Sequence, residues 1–299
     1  MLTLHSYGKI HNLGHKAIAN LFLDAVIVQE KVDGSQFSFG VINGELYCRS
    51  RGKEQHLEAP DKMFEKAVEF VKSIKPKLVE GWTYRAEYLA KPKHNTLCYN
   101  RTPKNNLVLF DIDIGDQDYM SSDHVKGIAE SLDLEPVPTF AIGIYTSFEQ
   151  FKPLLEKESV LGGPTVEGVV VKNYNRFGQD GKALMGKYVS EKFKEKHIKD
   201  WKERNPFGSD IKLQIGESLK TEARWHKSIQ HLRERGELLD EPKDIGPLLK
   251  EINQDVLEEC KEEIMETLFN WAWKDISRLI TRGFPEWYKQ ELAKLQFMD

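Results

Sequence analysis

Cysteine is scarce and scattered. The chain has 299 residues and three cysteines, Cys48, Cys98 and Cys260. They form no metal-ligand spacing, and an odd number far apart points to a reducing compartment, so a cytoplasmic protein is expected. Long apolar runs are also missing. None reaches the roughly 18 residues that a membrane helix needs, so no membrane partner is expected. The opening Met1-Leu2-Thr3-Leu4-His5 has no basic stretch leading into an apolar core, and no secretory signal is read there. Positive excess is the third absence: 43 Lys+Arg stand against 47 Asp+Glu, for a net charge of −4. Nucleic-acid-binding domains are usually basic, so this average speaks against such a partner.

The average hides how the charge is placed. Residues 201–299 hold 16 basic and 20 acidic side chains, which leaves 27 of each in residues 1–200. The two parts also differ in pattern. The first reads as short β-rich runs punctuated by Gly, Asn and Pro. The second reads as helices and holds five of the six tryptophans, Trp201, Trp225, Trp271, Trp273 and Trp287. Asn205-Pro206-Phe207-Gly208-Ser209-Asp210 is rich in turn residues and is the expected linker. Two domains are therefore expected, over residues 1–204 and 205–299.

Local patterns set the fold class. Ser35–Ile42 alternates in polarity, Asn43-Gly44 follows, and Glu45–Ser50 continues, which is a strong hairpin signal. Phe64, Ala67, Val68, Val71 and Ile74 recur at helical spacing within 61–74. Leu107–Phe110 reads as a buried strand ending at Asp111, and 166–172 and 183–189 read as two further strands. The first part is thus α+β with mainly antiparallel pairing. In the second part helices are expected from Ser190 to about Arg204, from about Glu217 to Arg235 and from about Asp255 to Arg282, with a short one at the end.

Glu30-Lys31-Val32-Asp33-Gly34 stands at the entrance of the first hairpin. Lys31 is expected at the start of a strand, and Gly34 would let backbone approach a phosphate closely. A Lys-x-Asp-Gly string alone carries little. It is followed in order by Ser50-Arg51-Gly52, Tyr84-Arg85-Ala86-Glu87, Phe110-Asp111-Ile112-Asp113, Glu167-Gly168-Val169-Val170-Val171-Lys172 and Lys187-Tyr188-Val189. This series resembles the six-part signature of the covalent nucleotidyltransferases, the ATP-dependent DNA and RNA ligases and mRNA capping enzymes. The spacings are close to those of the nick-sealing RNA ligases. The last motif departs from the family pattern, because its second lysine is missing; Lys192 and Lys194 are the candidate substitutes. Where DNA ligases and capping enzymes continue into an OB domain, this chain continues as helices, which resembles RNA ligases with a C-terminal helical domain.

The resemblance implies an antiparallel-sheet nucleotidyltransferase (ATP-grasp-like ligase) domain followed by an all-α one. It implies an ATP-dependent RNA ligase that joins 3′-hydroxyl and 5′-phosphate ends, with a DNA ligase or capping-type transferase as the alternative. Lys31 would attack the α-phosphorus of ATP. Only the neutral amine is nucleophilic, so its pKa would have to fall, with Lys172 and Lys187 as the neighbouring cations. Arg51 would bridge phosphate or ribose groups, because its planar fork binds oxyanions bidentately. Glu87 would accept the ribose hydroxyls, Phe110 would stack on adenine, and Glu30 would offer backbone contacts to the base. Glu167, Asp33 and Asp111 would serve Mg²⁺ or Mn²⁺, with Asp111 alternatively holding Arg51. The implied partner is RNA, as a nicked duplex or broken strand ends, and a monomer is expected.

Outside the motifs, Lys220, Arg224, Lys227, His231 and Arg235 fall on one stripe of the expected helix, a candidate rail for the RNA backbone. Trp225, Ile229 and Leu232 would anchor it from the adjacent stripe. Phe269, Trp271 and Trp273 are expected in a helical core.

Overall fold

The computed structural model describes residues 4–5, 7–115, 117–190, 193–194 and 211–296. The helix expected after Ser190, the linker 205–210 and Lys192 fall almost wholly outside the described residues. Two compact units are present: Met1–Lys194 with Trp225–Leu248, and Glu195–Arg224 with Leu249–Asp299. The single boundary expected at residue 204 is therefore replaced by an exchange, in which a downstream segment belongs to the first unit. No described helix is long and apolar enough to cross a membrane.

The first unit is built from strands β1 (His11–Asn12), β2 (Val26–Lys31), β3 (Ser35–Ile42), β4 (Glu45–Ser50), β5 (Glu54–Gln55), β6 (Thr83–Tyr88), β7 (Leu107–Gly115), β8 (Asp118–Tyr119), β9 (Glu135–Pro136), β10 (Thr139–Gly143), β11 (Gly168–Phe177) and β12 (Ala183–Val189). They form two sheets, ordered β1-β12-β11-β2-β10 and β5-β4-β3-β6-β7-β8, with β9 added beside β7. Pairing is antiparallel except for β1 with β12 and β9 with β7, so the α+β antiparallel expectation describes the structure. The hairpin of β3 and β4 turns at Asn43 and Gly44, both at positive φ (53° and 76°), as a tight two-residue turn requires.

Each sheet covers its own core. Val26, Val28, Val169, Val171 and Leu184 of the first pack on Ile18, Leu21 and Phe151. Phe37, Phe39, Tyr84, Ala86 and Leu109 of the second pack on helix α1 (Glu65–Ile74) through Ala67, Val68 and Val71, and on α2 (Ser122–Ser131) through Val125 and Ala129. β2 lies in one sheet and β3 in the other, so Val32-Asp33-Gly34 is the crossing between them. Lys31 is the last residue of β2, not the first of a strand as expected.

Downstream helices are α3 (Ile211–Leu219), α4 (Glu222–Glu234), α5 (Ile245–Thr281) and α6 (Phe284–Gln296). The helix expected over 217–235 is split: α3 ends at Leu219, and Thr221 opens α4 by accepting the Arg224 amide on Oγ1 at 3.2 Å. α5 starts ten residues before the expected Asp255. Phe269, Trp271 and Trp273 are not core residues: they are 58, 54 and 47% exposed.

Candidate active site

The register of β2 against β11 sets Lys31 directly opposite Gly168. That brings Glu167, one residue before the strand, against the Lys31 amine, with Nζ 2.6 Å from Oε2. Gly168 is required by this packing, because a Cβ there would lie 2.5 Å from the Tyr188 carbonyl oxygen and 2.9 Å from Val189 Cα. From the other sheet, β6 carries Glu87 opposite Gln36 of β3. Gly34 lets Glu87 approach: a Cβ at Gly34 would meet Glu87 Cγ and the Tyr88 carbonyl oxygen, both at 2.7 Å. The Gly34 role visible here is thus close packing of two strands.

The electrostatics of this pocket differ from the sequence expectation. Burial pulls the Lys31 amine down, but Glu167, Glu87 and Asp33 together hold it above the ordinary lysine value. Lys31 is therefore an ammonium here. Burial pushes Glu167 up to about 7, against the opposing pull of Lys31. Burial likewise pushes Glu87 up to about 8; Lys31 opposes this, while Glu234, Glu167 and Asp33 add to it. These directions share a cause: carboxylates crowd a dry pocket, so it retains protons. Lys187, half-buried on β12, lies close enough to draw Glu167 slightly down.

A second group sits on β7 and β11. Lys172 is fully buried, and its Nζ donates to Asp111 Oδ1 at 2.9 Å and to the Phe110 carbonyl oxygen at 3.3 Å. The same ammonium lies 5.1 Å from the centre of the Phe110 ring, within cation–π range. Burial lowers Lys172 despite the Asp111 charge. The hydroxyls of Tyr7 and Tyr174 also donate to Asp111. Asp111 is thus fully engaged and does not hold Arg51. Nothing in the local sequence marked Tyr7 or Tyr174, since their partner is about a hundred residues away from Tyr7.

The three carboxylates expected to serve a metal are not grouped. Among the described residues no three His, Cys, Asp or Glu side chains are clustered to hold an ion. Asp33 Oδ2 accepts the amides of Thr96 and Leu97 at 2.8 and 2.7 Å, which anchors the segment after β6. Glu30 is also committed: Ser159 Oγ donates to it at 2.5 Å and the Val160 amide at 3.1 Å, while its own amide donates to the Pro138 carbonyl. Glu167 is left facing the pocket, where a cation could replace the retained protons. That surplus of acid is what a hydrated divalent ion would fit, held by Glu167 with water and phosphate oxygens.

Arg51 is exposed on the turn after β4, and its Nη1 lies 3.4 Å from His231 Nε2. The proposed RNA rail is not assembled. Arg224 is 1% exposed and pairs with Asp255, which takes it off any surface. Lys220 precedes α4 and pairs with Glu217, Lys227 is half-buried, and Arg235 follows the helix and pairs with Glu237. The helix break at Thr221 and the burial of Arg224 undo the stripe.

Sequence reasoning missed Glu234. It is 4% exposed, hydrogen-bonded by Gln230 at 2.8 Å, and adds to the acidic field on Glu87.

Comparison with known proteins bears on the span that carries these groups. The RNA ligase family profile matches residues 24–189, more than half of the chain. Among solved structures, an apo mutant of Naegleria gruberi RNA ligase is similar at 17% identity and TM-score 0.48, over 62% of this chain and 55% of that one. The same enzyme with PPi gives 16% and 0.46, over 64% and 57%, and a mutant of it with ATP and Mn gives 16% and 0.45, over 62% and 56%. The chain thus spans little more than half the length of those structures. No curated protein matches. Lys31, Glu87, Asp111, Glu167, Lys172 and Lys187 all lie within the matched span, and the chain belongs to the RNA ligase family.

Proposed function

We propose that this protein is an ATP-dependent RNA ligase that carries AMP on Lys31 and joins a 3′-hydroxyl to a 5′-phosphate in broken or nicked RNA. The observation that supports this most is the half-buried Lys31 amine held 2.6 Å from Glu167, inside the span matched by the family.

In the first step the Lys31 ammonium gives up one proton to water as ATP binds, and the neutral amine then attacks the α-phosphorus. The P–N bond forms, the P–O bond to pyrophosphate breaks, and the amine loses a proton. Glu167 is the nearest acceptor, and its raised value suits it to take that proton near neutrality. A bound Mg²⁺ or Mn²⁺ would supply positive charge beside Glu167, lowering the cost of both the free amine and the phosphates. Lys172 on β11 and Lys187 on β12 are cations of the same sheet as Lys31, suited to neutralise the α-phosphate. Phe110, already in contact with the Lys172 ammonium, offers a face for the base. Glu87 offers a carboxylate for the ribose hydroxyls. The AMP then passes to a 5′-phosphate, and attack by the 3′-hydroxyl seals the strand and releases AMP.

Incubation of the protein with α-labelled ATP and Mg²⁺ or Mn²⁺ tests the reading. A covalent, acid-labile adduct is expected on the native chain and none on Lys31→Ala. An adduct that survives Lys31→Ala sinks the mechanism. Sealing of nicked duplexes with RNA or DNA at the 3′-hydroxyl side then separates RNA from DNA ligation.

A further inference from the structure

The last turn of α4 returns to the pocket within the same compact unit. Gln230 Nε2 donates to the Gly34 carbonyl at 2.8 Å and lies at the same distance from Glu234 Oε1. The Gly34 carbonyl also accepts Asn95 Nδ2 at 2.7 Å, so the turn that follows Lys31 is pinned from two sides. His231, one residue on, faces Arg51 at 3.4 Å, and the Arg235 stem lies 3.6 Å from where a Gly52 Cβ would be. Glu234 is held in turn. The Ala90 amide donates to His94 Nδ1, so the ring proton sits on Nε2 and points to Ser35 Oγ at 3.0 Å. That leaves the Ser35 hydroxyl to donate to Glu234, on which the charges of Arg51 and Arg235 also act. Four residues of one helix end thus touch the two family motifs that flank the pocket, one through Gly34 and one through Arg51 and Gly52.

We infer that Gln230, His231 and Glu234 are positioning residues for AMP transfer: Gln230 fixes the turn carrying Lys31, and His231 with Glu234 aims the guanidinium of Arg51 at the nucleotide phosphates. The inference rests on the function proposed above. A free arginine on a surface turn samples many rotamers, and ordering it before the nucleotide arrives removes part of the binding cost. A buried carboxylate would otherwise oppose a triphosphate. Burial pushes the Glu234 carboxyl up, and the charges of Arg51 and Arg235 oppose that, so the carboxylate form is favoured by the Arg51 turn.

The two arms act on different constants, and single-turnover adduct formation by the full chain with α-labelled ATP separates them. Glu234→Gln keeps the size and one acceptor oxygen, for Gln230, but drops the charge. It is expected to raise the ATP concentration for half-maximal rate about tenfold, with the saturating rate within about threefold. Gln230→Ala is expected to lower the saturating rate about tenfold with little change in half-saturation, because it misplaces the nucleophile; Gln230→Met serves if the alanine variant unfolds. Adding Glu234→Gln to Arg51→Ala should cost nothing further, whereas adding Gln230→Ala should multiply. A merely structural role would not give that split. Glu234→Gln within twofold of the native chain, a rate increase, or a multiplicative effect with Arg51→Ala overturns the inference and leaves the proposed function intact. A native chain that forms no adduct overturns the proposed function itself.

Discussion

Both units of this protein bury cation–aspartate pairs, and a pair from each differs in its surroundings. In the sheet unit, Lys172 meets Asp111, with relative side-chain exposures of 2 and 1%. In the helical unit, Arg224 meets Asp255, at 1 and 5%. Asp111 also takes two tyrosine hydroxyls, and Lys172 faces the ring and carbonyl of Phe110, so this pair borders the proposed nucleotide pocket. Arg224 also contacts Cys260 Sγ at 3.7 Å, and its amide donates to Thr221. One pair belongs to the proposed nucleotide pocket. The other joins α4 to α5.

The largest expected difference comes from cutting each pair once. Lys172→Met should reduce adduct formation about a hundred-fold or more, because a cation beside the reacting phosphate is lost. Arg224→Met should leave adduct formation within a few-fold at temperatures where the chain is folded. Breaking one partner of a buried pair costs about 3–5 kcal/mol, and denaturant titration should show both losses. Lys172→Met should fall at the low end, because Asp111 keeps its tyrosine donors. An Arg224→Met chain as inactive as Lys172→Met would show that the helical pair serves the pocket too.

A second contrast is in pH response, and it concerns the sheet unit. Glu87 and Glu167 stand at about 8 and about 7 when folded, far above an unfolded glutamate. Between pH 6.5 and 8.5 the folded chain releases these protons while the unfolded chain has none left to release. Stability should therefore fall as pH rises through this window. His94 and His11, both lowered to about 4 chiefly by desolvation, act in the opposite direction until their unfolded imidazoles have lost their protons, about one pH unit above 6.5, so the fall is clearest in the upper part of the window. The urea midpoint of the ligand-free protein should drop from pH 6.5 to 8.5, and Glu87→Gln should flatten that drop. A slope unchanged in Glu87→Gln would remove the acid-rich pocket as its source.

What the sequence made legible follows the range of the forces involved. The Asn43-Gly44 hairpin, α1 and the paired strands β11 and β12 are set by turn chemistry and short-period patterning, and they occur close to where they were expected. The motif residues were readable as an ordered series, yet their electrostatic state was not. Lys31 is raised rather than lowered because acids from β6 and the approach to β11 converge on it, from 56 and 136 positions away (87 − 31 and 167 − 31). Asp33 and Glu30 spend their carboxylates on loops, which no spacing rule reveals. Periodicity placed Arg224 on a polar stripe of α4, but burial against α5 decides its role. The return of Gln230 and Glu234 to the pocket was invisible for the same reason: a helix face names its residues, and only tertiary packing names their partners.

The smallest expected effect lies on α5. Trp271 and Trp273 are two residues apart and so project about 200° around the helix from each other, and both are about half exposed. Phe269 and Trp273, four apart, stack at 5.5 Å along one face. Such a pair contributes a few tenths of a kcal/mol to a helix, far below what burial of either ring would give. Trp273→Ala should thus lower stability by under about 1 kcal/mol, and it should change adduct formation by less than about twofold. Tryptophan fluorescence of single-Trp variants would check the exposure directly: Trp273 should emit at long wavelength and be quenched readily by acrylamide. A blue-shifted, protected Trp273 with a stability loss of several kcal/mol on substitution would mean that this stretch of α5 is packed, and the contrast between a committed sheet unit and an open helical one would fail at its far end.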